Sequence, residues 1–332
     1  MKVVAREPES DQRPSRGDPL AYAEPSRPRL ASSPVDEEAS QPGTTLDARL
    51  ARLDHQVTSI LQLLSHPVPG YAQEAPAADP PPVAISCLGT FRFRVDGNTV
   101  EGWRSSKARA LFQYLVNHRG RPIPRDALIQ ALWPDPDAVA AGTSLKVAVH
   151  VLRQTLSQAG CDRATLTILA HDCGYQLDAP HLWIDVEEFD RCYALGRSAE
   201  AQGRSQRALA LYARAADLYH GDFLEELSDD WPMFRREALK DQYLFILTCL
   251  AKAAVSAGDY QGGIVRCQQL LERDRCREDA YRLLMICHAR LGQRSRVRTW
   301  YQFCVETLRA ELDCGPEPET ERLCRLALAG RL

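Results

Sequence analysis

One predicted helix, residues 137–158, carries the side chains best suited to chemistry with another molecule. An α-helix turns about 100° per residue, so side chains three and four positions apart share a face. The apolar stripe that this spacing would bury is formed by Leu145, Val149, Leu152 and Leu156. The opposite face and its flanks carry Thr143, Lys146, Val147, His150, Arg153 and Gln154. Side chains of these types read base edges when a helix enters the DNA major groove, but a face that meets only water has the same composition.

Basic side chains before this helix are candidates for a second kind of contact, with the phosphate backbone. Such contacts fix the register of a protein on DNA, whereas base contacts specify the sequence. The candidate phosphate contacts are Arg104, Lys107, Arg109 and Arg125. The whole chain has 41 Lys and Arg against 44 Asp and Glu, a net charge of −3. This balance excludes a generally basic coat protein, so contacts with double-stranded DNA must come from a local surface.

The sequence lacks the motifs of common enzymes, metal sites and membrane proteins. It has no GxxxxGK[ST] or GxGxxG phosphate loop, no HExxH and no GxSxG. Cys267, Cys276 and Cys287 have spacings unlike those of structural zinc sites. The 11 cysteines include no CxxC pair, and neither a secretion signal nor an 18-residue apolar run is found. We therefore expect a cytoplasmic protein, not an enzyme, without cofactor, metal or membrane partner and with reduced cysteines.

The elements around the candidate helix predict a winged helix–turn–helix domain at residues 83–180. Two alternating segments, 85–88 and 91–95, are typical of strands, and Asp96-Gly97 is a strong hairpin turn. A first helix capped by Ser106 and a second running from Pro124 to Pro134 precede the third, which Asp137 would cap. A β-hairpin follows, with its turn at residues 171–174. Strands, three helices and a hairpin are the order of a winged helix.

Residues 181–332 predict an all-α repeat domain, so the fold class is mainly α with a small β component. Gly258 and Gly292 are 34 residues apart, the period of the tetratricopeptide repeat, and Gly203 begins a similar pattern. An insertion that includes residues 221–231 interrupts the array, and Asp185 and Glu188 have the spacing of a capping box. Such arrays usually bind other proteins, although a helical core without a partner would give the same pattern.

The first 82 residues predict three segments without a globular core. Residues 1–43 are rich in proline and lack periodicity, which predicts a disordered arm, and residues 67–82 predict a Pro-rich linker. Between them, residues 44–66 predict a short coiled-coil helix, with heptad positions at Leu46, Leu50, Leu53, Val57, Ile60 and Leu64. A lone helix of this length is marginal in water. It needs either a second copy, giving a homo-oligomer, or a groove on its own chain.

Several motifs resemble those of the SARP family, bacterial transcriptional activators named for antibiotic regulatory proteins. ISCLGTF at 85–91, LIQALWP at 128–134 and GYQL at 174–177 resemble its DNA-binding domain. DVEEF at 185–189, GDFL at 221–224 and CREDA at 276–280 resemble its bacterial transcriptional activator domain. The resemblance implies tandem binding at promoter direct repeats, recruitment of RNA polymerase and often control of a secondary-metabolite cluster. It also implies that Thr143, Lys146, Val147 and His150 face the groove.

Two departures from the family pattern favour a rival interpretation. Gly142 stands where many relatives have Arg, which would remove a phosphate contact and loosen the start of the helix. The hairpin tip, His171-Asp172, has neither Lys nor Arg. The expected function is a sequence-specific DNA-binding activator. The alternative is a protein-interaction adaptor of the tetratricopeptide type whose winged helix no longer binds DNA specifically.

Overall fold

The computed structural model of the chain describes residues 82–133 and 138–332. The predicted arm 1–43, coiled-coil helix 44–66 and linker up to residue 81 lie outside the described residues. So do Pro134, the predicted end of the second helix, and Asp137, the predicted cap of the third. The described part is mainly helical with a small β component, as expected, and comprises a winged helix–turn–helix region followed by a tetratricopeptide-like helical array.

The described part begins with a small antiparallel sheet. Its strands are β1 (Val83–Ser86), β2 (Arg92–Val95) and β3 (Asn98–Thr99). The turn between β2 and β3 is the predicted one, because Asp96 and Gly97 adopt φ angles of 48° and 81°. Positive φ at both central residues is the geometry that matches the twist of a two-residue hairpin. Phe93 of β2 points into the core, with its ring centroid 5.0 Å from that of Phe112.

Three helices and a second sheet complete the winged helix–turn–helix region. They are α1 (Ser106–Asn117), β4 (Ile123–Pro124), α2 (Arg125–Leu132), α3 (Ala138–Gln158), β5 (Thr167–Ala170) and β6 (Gly174–Asp178). The second sheet has the order β4-β6-β5, so the predicted hairpin forms the wing. The N-cap of α1 is Ser105, whose Oγ accepts from Ala108 N at 3.2 Å, and the prediction of Ser106 is therefore wrong by one position.

Seven helices form the array. They are α4 (Asp185–Ala201), α5 (Ser205–Leu218), α6 (Met233–Ser256), α7 (Tyr260–Arg273), α8 (Glu278–Arg290), α9 (Arg294–Leu312) and α10 (Pro318–Leu328). The first six pack as three antiparallel pairs. The turns within the pairs contain Gly203, Gly258 and Gly292, each with φ near 70–77°. A side chain is disfavoured at such angles, which explains why the repeat pattern is anchored on glycine.

The predicted border at residue 180 falls inside a shared sheet. A further strand, β7 (Leu182–Ile184), pairs in parallel with β1, with Val83 opposite Leu182, so the first sheet has the order β3-β2-β1-β7. The prediction that everything after residue 180 is helical is wrong for these three residues. A three-residue strand leaves too short a pattern to recognise, and its pairing partner lies about one hundred residues earlier.

Asp185, at the start of α4, joins the two regions with its carboxylate. The carboxylate accepts hydrogen bonds from Cys87 N at 2.8 Å, Leu88 N at 2.9 Å and Val186 N at 2.7 Å. Burial raises the pKa of Asp185, and the three amide bonds work against that shift. The predicted capping box with Glu188 does not form, because β7 directs Asp185 toward the end of β1 and Glu188 pairs with Arg191 and Arg214.

The inserted segment between α5 and α6, residues 219–232, forms a second junction. Gly89 N donates to Asp222 O at 3.1 Å, and Leu224 N donates to Cys87 O at 2.8 Å. Phe223 and Leu224 are buried in the same core cluster as β1 and α1. The insertion that the sequence predicted is therefore the part of the array that docks on the winged helix–turn–helix region.

The described residues were searched for membrane-spanning helices and for metal sites. None of the described helices is both long enough and apolar enough to cross a bilayer. No group of three or more His, Cys, Asp or Glu side chains within the described ranges is arranged to hold a metal ion.

The Asp185 junction leads to a testable expectation about stability. Replacing Asp185 with Ala leaves two or three buried amide N–H groups without acceptors, so we expect the free energy of unfolding to fall by about 2–4 kcal/mol. Urea denaturation followed by circular dichroism measures the change. Asp217→Ala, which removes an exposed carboxylate on α5, is the matched control. An unchanged midpoint for Asp185→Ala would show that the junction does not depend on this carboxylate.

Candidate nucleic-acid interface

Helix α3 buries one face and exposes the other, as its periodicity predicted. Leu145, Val149, Leu152 and Leu156 are all at most 3% exposed. The opposite face presents Thr143, Lys146, Val147, His150 and Gln154, and all five are exposed. Val147 stands out because 57% of its surface is exposed, although it is apolar. The exposed face therefore offers hydrogen-bonding groups around one apolar contact.

Arg153, also predicted for this face, is committed to a different partner. Its guanidinium donates to the carbonyl oxygen of Ile168 at 2.8 Å. Ile168 lies on β5, so this bond ties α3 to the wing. Arg153 thus fixes the relative placement of the two elements that would approach a duplex. Its side chain is exposed and makes this one bond through a single nitrogen, so its contact with DNA stays a prediction.

Lys107 is exposed and has a partner on its own chain, at the end of α2. Its ammonium donates to the carbonyl oxygen of Leu132, the last residue of α2, and lies 5.6 Å from the ring centroid of Trp133. A cation at a helix C-terminus satisfies an unpaired carbonyl and is favoured by the helix dipole. Lys107 therefore connects α1 to the end of α2.

Arg109 connects the winged helix–turn–helix region to the array. Its guanidinium donates to Phe91 O at 3.2 Å and forms an ion pair with Glu226 at 2.6 Å. Arg119 makes a comparable ion pair with Glu187 of α4. The sequence did not predict these two ion pairs, because each glutamate lies more than sixty residues from its arginine and no local pattern marks the pairing.

Arg125 holds the tip of the wing. Its guanidinium donates to Asp172 O at 3.0 Å and to His171 O at 3.4 Å, and it lies 5.9 Å from the ring centroid of Tyr175. The wing also requires Gly174, since a Cβ there would lie 1.7 Å from Ile123 O. Arg125 stays exposed at the start of α2, so the guanidinium keeps donors free of these two bonds.

Arg104 lies beside the C-terminal end of α3. It lines a shallow cavity with residues of the β2–β3 turn and with Thr155 and Gln158. It has no hydrogen-bond or ion-pair partner within the part of the chain that the structure describes. Of the four predicted phosphate contacts, three therefore have intramolecular partners, because each of those guanidinium or ammonium groups lies within reach of a carbonyl or carboxylate.

Helix α3 continues through Gly142. The helix begins at Ala138, four residues earlier, and the expectation that Gly142 loosens its start stays a prediction. A Cβ built on Gly142 meets no atom within 4 Å. The site is open space on the same turn as Thr143, and a larger side chain would fit there.

Two family models match the chain, one before strand β7 and one from its last residue onward. Residues 101–177 match the model described as transcriptional regulatory protein, C terminal. Residues 184–326 match the bacterial transcriptional activator domain. The first match contains α3 and the wing, and the second begins at the junction with Asp185.

Several curated proteins to which the chain is similar are regulatory proteins. The transcriptional regulatory protein EmbR of Mycobacterium tuberculosis is 28% identical over 71% of this chain and 61% of its own length. The transcriptional regulatory protein MoaR1 of the same organism is 28% identical over 73% of this chain and 78% of its own. The regulatory protein DnrI of Streptomyces peucetius is 25% identical over 72% and 89%. The chain thus spans less than two thirds of EmbR.

A solved structure has a similar architecture. Mycobacterium tuberculosis EmbR, determined in complex with a low-affinity phosphopeptide, aligns with a TM-score of 0.61 and 26% sequence identity. The alignment covers 76% of this chain and 66% of that one. The pairing of a winged helix–turn–helix with a helical array is therefore shared with this relative.

The open space at Gly142 leads to a stability prediction. Gly142→Ala should raise the free energy of unfolding by about 0.5–1 kcal/mol, because Ala is the better helix former and meets no steric obstacle. Gly196→Ala on α4 is the contrasting control, since its Cβ would lie 2.4 Å from Cε1 of the buried Tyr212. It should lower stability instead. Thermal unfolding of both variants measures whether stability rises or falls. A less stable Gly142→Ala variant would show that the position does not accommodate a Cβ.

Proposed function

The chain belongs to the SARP family of bacterial transcriptional activators, and from this premise we propose that it binds promoter DNA through α3 and activates transcription. The observation that carries the proposal is the exposed face of α3, held outward by a fully buried apolar stripe. Family members are regulators rather than enzymes, and the proposal requires no catalytic group or cofactor. Because the proposed partner is promoter DNA, the proposed location is the cytoplasm of a bacterium.

The proposed contacts with bases come from the middle of α3. A B-DNA major groove is about 12 Å wide and admits one α-helix. Lys146 and His150 are one turn apart and exposed, so both can reach base edges from the same side of the helix. Lys commonly donates to the O6 and N7 atoms of guanine. Thr143 and Gln154 extend the surface by one turn on either side.

The proposed contacts with phosphates are fewer than the sequence predicted. We assign one to Arg125, because it is exposed at the start of α2 and its two bonds to carbonyls leave other N–H donors available. Arg104 remains a candidate, whereas Lys107 and Arg109 are assigned to the intramolecular roles described above. With few phosphate contacts, the salt dependence of binding should be shallow for a DNA-binding domain.

The array is proposed to act on neighbouring molecules. Because β7 and Asp185 join it to the sheet of the winged helix–turn–helix region, its direction relative to α3 is constant. Tandem copies on promoter direct repeats would then present their arrays in the same orientation, toward one another and toward RNA polymerase. The helix predicted at 44–66 would add self-association as a homo-oligomer, and a secondary-metabolite cluster is the regulated target that the family suggests.

The second candidate function is an adaptor that no longer reads DNA. Gly142 and the absence of Lys or Arg at the wing tip, where Asp172 is exposed, favour it. The two functions differ in one measurable respect. An activator discriminates its operator from unrelated DNA, whereas an adaptor binds both equally or not at all.

Substitutions on α3 test the proposed function. On an operator selected from random DNA by the full chain, Lys146→Ala and His150→Ala should each weaken binding by about 1–3 kcal/mol, because each removes a base contact. Gel-shift titration measures the affinities. Lys252→Ala, an exposed lysine on α6, is the control for loss of one positive charge. Failure to select any operator would favour the adaptor, whereas unchanged affinity in both variants would remove Lys146 and His150 from the interface.

Val147 gives a more specific prediction about the operator. An exposed apolar side chain among polar ones in a groove is expected to pack against the C5-methyl group of thymine. Replacing one operator thymine with deoxyuridine removes that methyl group alone. At the contacted position this should weaken binding of the wild type several-fold, but should leave Val147→Ala unaffected. If no single replacement weakens wild-type binding, Val147 does not contact a thymine methyl group.

A further inference from the structure

A cavity lies between the winged helix–turn–helix region and the inserted segment of the array. Its volume is about 500 Å³, within the range of small-molecule sites. One side is formed by α1 and α2, and the other by residues of the segment 219–232. The lining side chains are Tyr114, Ala127, Gln130, Ala131, Ser228, Asp229, Asp230 and Trp231.

Aromatic rings form one wall of the cavity. The rings of Tyr114 and Trp231 meet edge to face, with centroids 4.9 Å apart. The ring of His118 stacks on that of Tyr114, with centroids 4.3 Å apart, and lies 6.3 Å from the ring centroid of Trp231. Ala127 and Ala131 of α2, whose side chains are small, line the same cavity. A flat or compact organic body fits this combination of rigid aromatic wall and small side chains.

The charged groups of the cavity lining are two carboxylates, those of Asp229 and Asp230. Asp229 is half-buried and Asp230 is exposed, and neither forms an ion pair with another described residue. The next two arginines in the chain are engaged elsewhere, Arg235 with Asp190 and Arg236 with backbone carbonyls such as Phe223 O. No Lys or Arg belongs to the described lining. The site thus combines two carboxylates with an electron-rich aromatic wall.

One donor in the cavity wall is also unsatisfied. The indole Nε1 of Trp231 is buried and has no hydrogen-bond partner among the described residues. A buried N–H without an acceptor costs free energy comparable to a lost hydrogen bond. The aromatic ring of a bound molecule can accept from this N–H through its π face.

We propose that this cavity binds a small organic cation, an amine on an aromatic or compact apolar body. Its ammonium group pairs with Asp229 and Asp230, and its body packs against Trp231 and Tyr114. Carboxylates and aromatic faces both attract cations, and Trp is the strongest aromatic partner. Ala127, Gln130 and Ala131 belong to α2, which packs against α3. The ligand therefore touches the helix that supports the exposed face of α3.

Calorimetric titration of the full chain with two matched probes tests the proposal. Phenethylamine carries the cation, and 2-phenylethanol is its neutral counterpart of nearly the same shape. We expect the amine to bind about tenfold more tightly than the alcohol, since only the amine pairs with the carboxylates. Equal affinity for the two probes, or no binding of either at millimolar concentration, would overturn the proposal.

Variants identify the cavity as the site of binding. The double variant Asp229→Asn/Asp230→Asn keeps the shape of both side chains and should abolish the preference for the amine. Asp217→Asn/Glu306→Gln removes two exposed carboxylates elsewhere and should leave the preference intact. Ala131→Leu fills the cavity and should weaken binding of both probes. An amine preference that survives in the Asn double variant would place the binding elsewhere and refute the assignment.

Discussion

The parallel pairing of β7 with β1, closed by the Asp185 carboxylate, is the constraint on which the rest of the structure depends. Three residues of strand and one buried carboxylate turn what would be two independent domains into one hydrophobic core. The carboxylate is costly to bury, and its three backbone amide bonds offset that cost only where the end of β1 meets the start of α4. The geometry of the junction is therefore specific as well as stable.

This junction explains how the basic side chains are used. Arg109 and Arg119 lie on or just after α1, next to the array, and each pairs with a glutamate across the junction. Half-exposed ion pairs of this kind contribute little to stability individually, but they fix orientation. Arg125 and Arg153 do the same for the wing with carbonyl groups. Much of the positive charge of the winged helix–turn–helix region thus orders the fold, and less of it is left to attract DNA.

The sequence predicted those features that local patterns determine. The stripe on α3, the Asp96-Gly97 turn, the wing hairpin and the glycines between paired helices all follow from periodicity or from a required φ angle. The strand β7, the hydrogen-bond partners of Asp185 and the ion pairs of Arg109 and Arg119 could not be predicted. Each depends on residues that meet only after the chain has folded. No local sequence pattern identifies the partner of a three-residue strand or of a single arginine. The same applies to the cavity beside Trp231, whose walls come from two separate regions.

A rigid junction and a modest supply of free positive charge fit together in the proposed mechanism. With few phosphate contacts, one copy gains little non-specific affinity for DNA, so its binding depends on base contacts made by a short exposed face. Such a face gives limited affinity by itself. When a second copy occupies an adjacent site, contact between the two converts its binding into a nearly intramolecular event. A flexible joint would reduce this gain in affinity, because the orientation of each array would have to be fixed on binding, at a cost in entropy. In the proposed mechanism, the pairing of β7 with β1 removes this cost before binding, so we expect two neighbouring sites to be occupied together rather than singly.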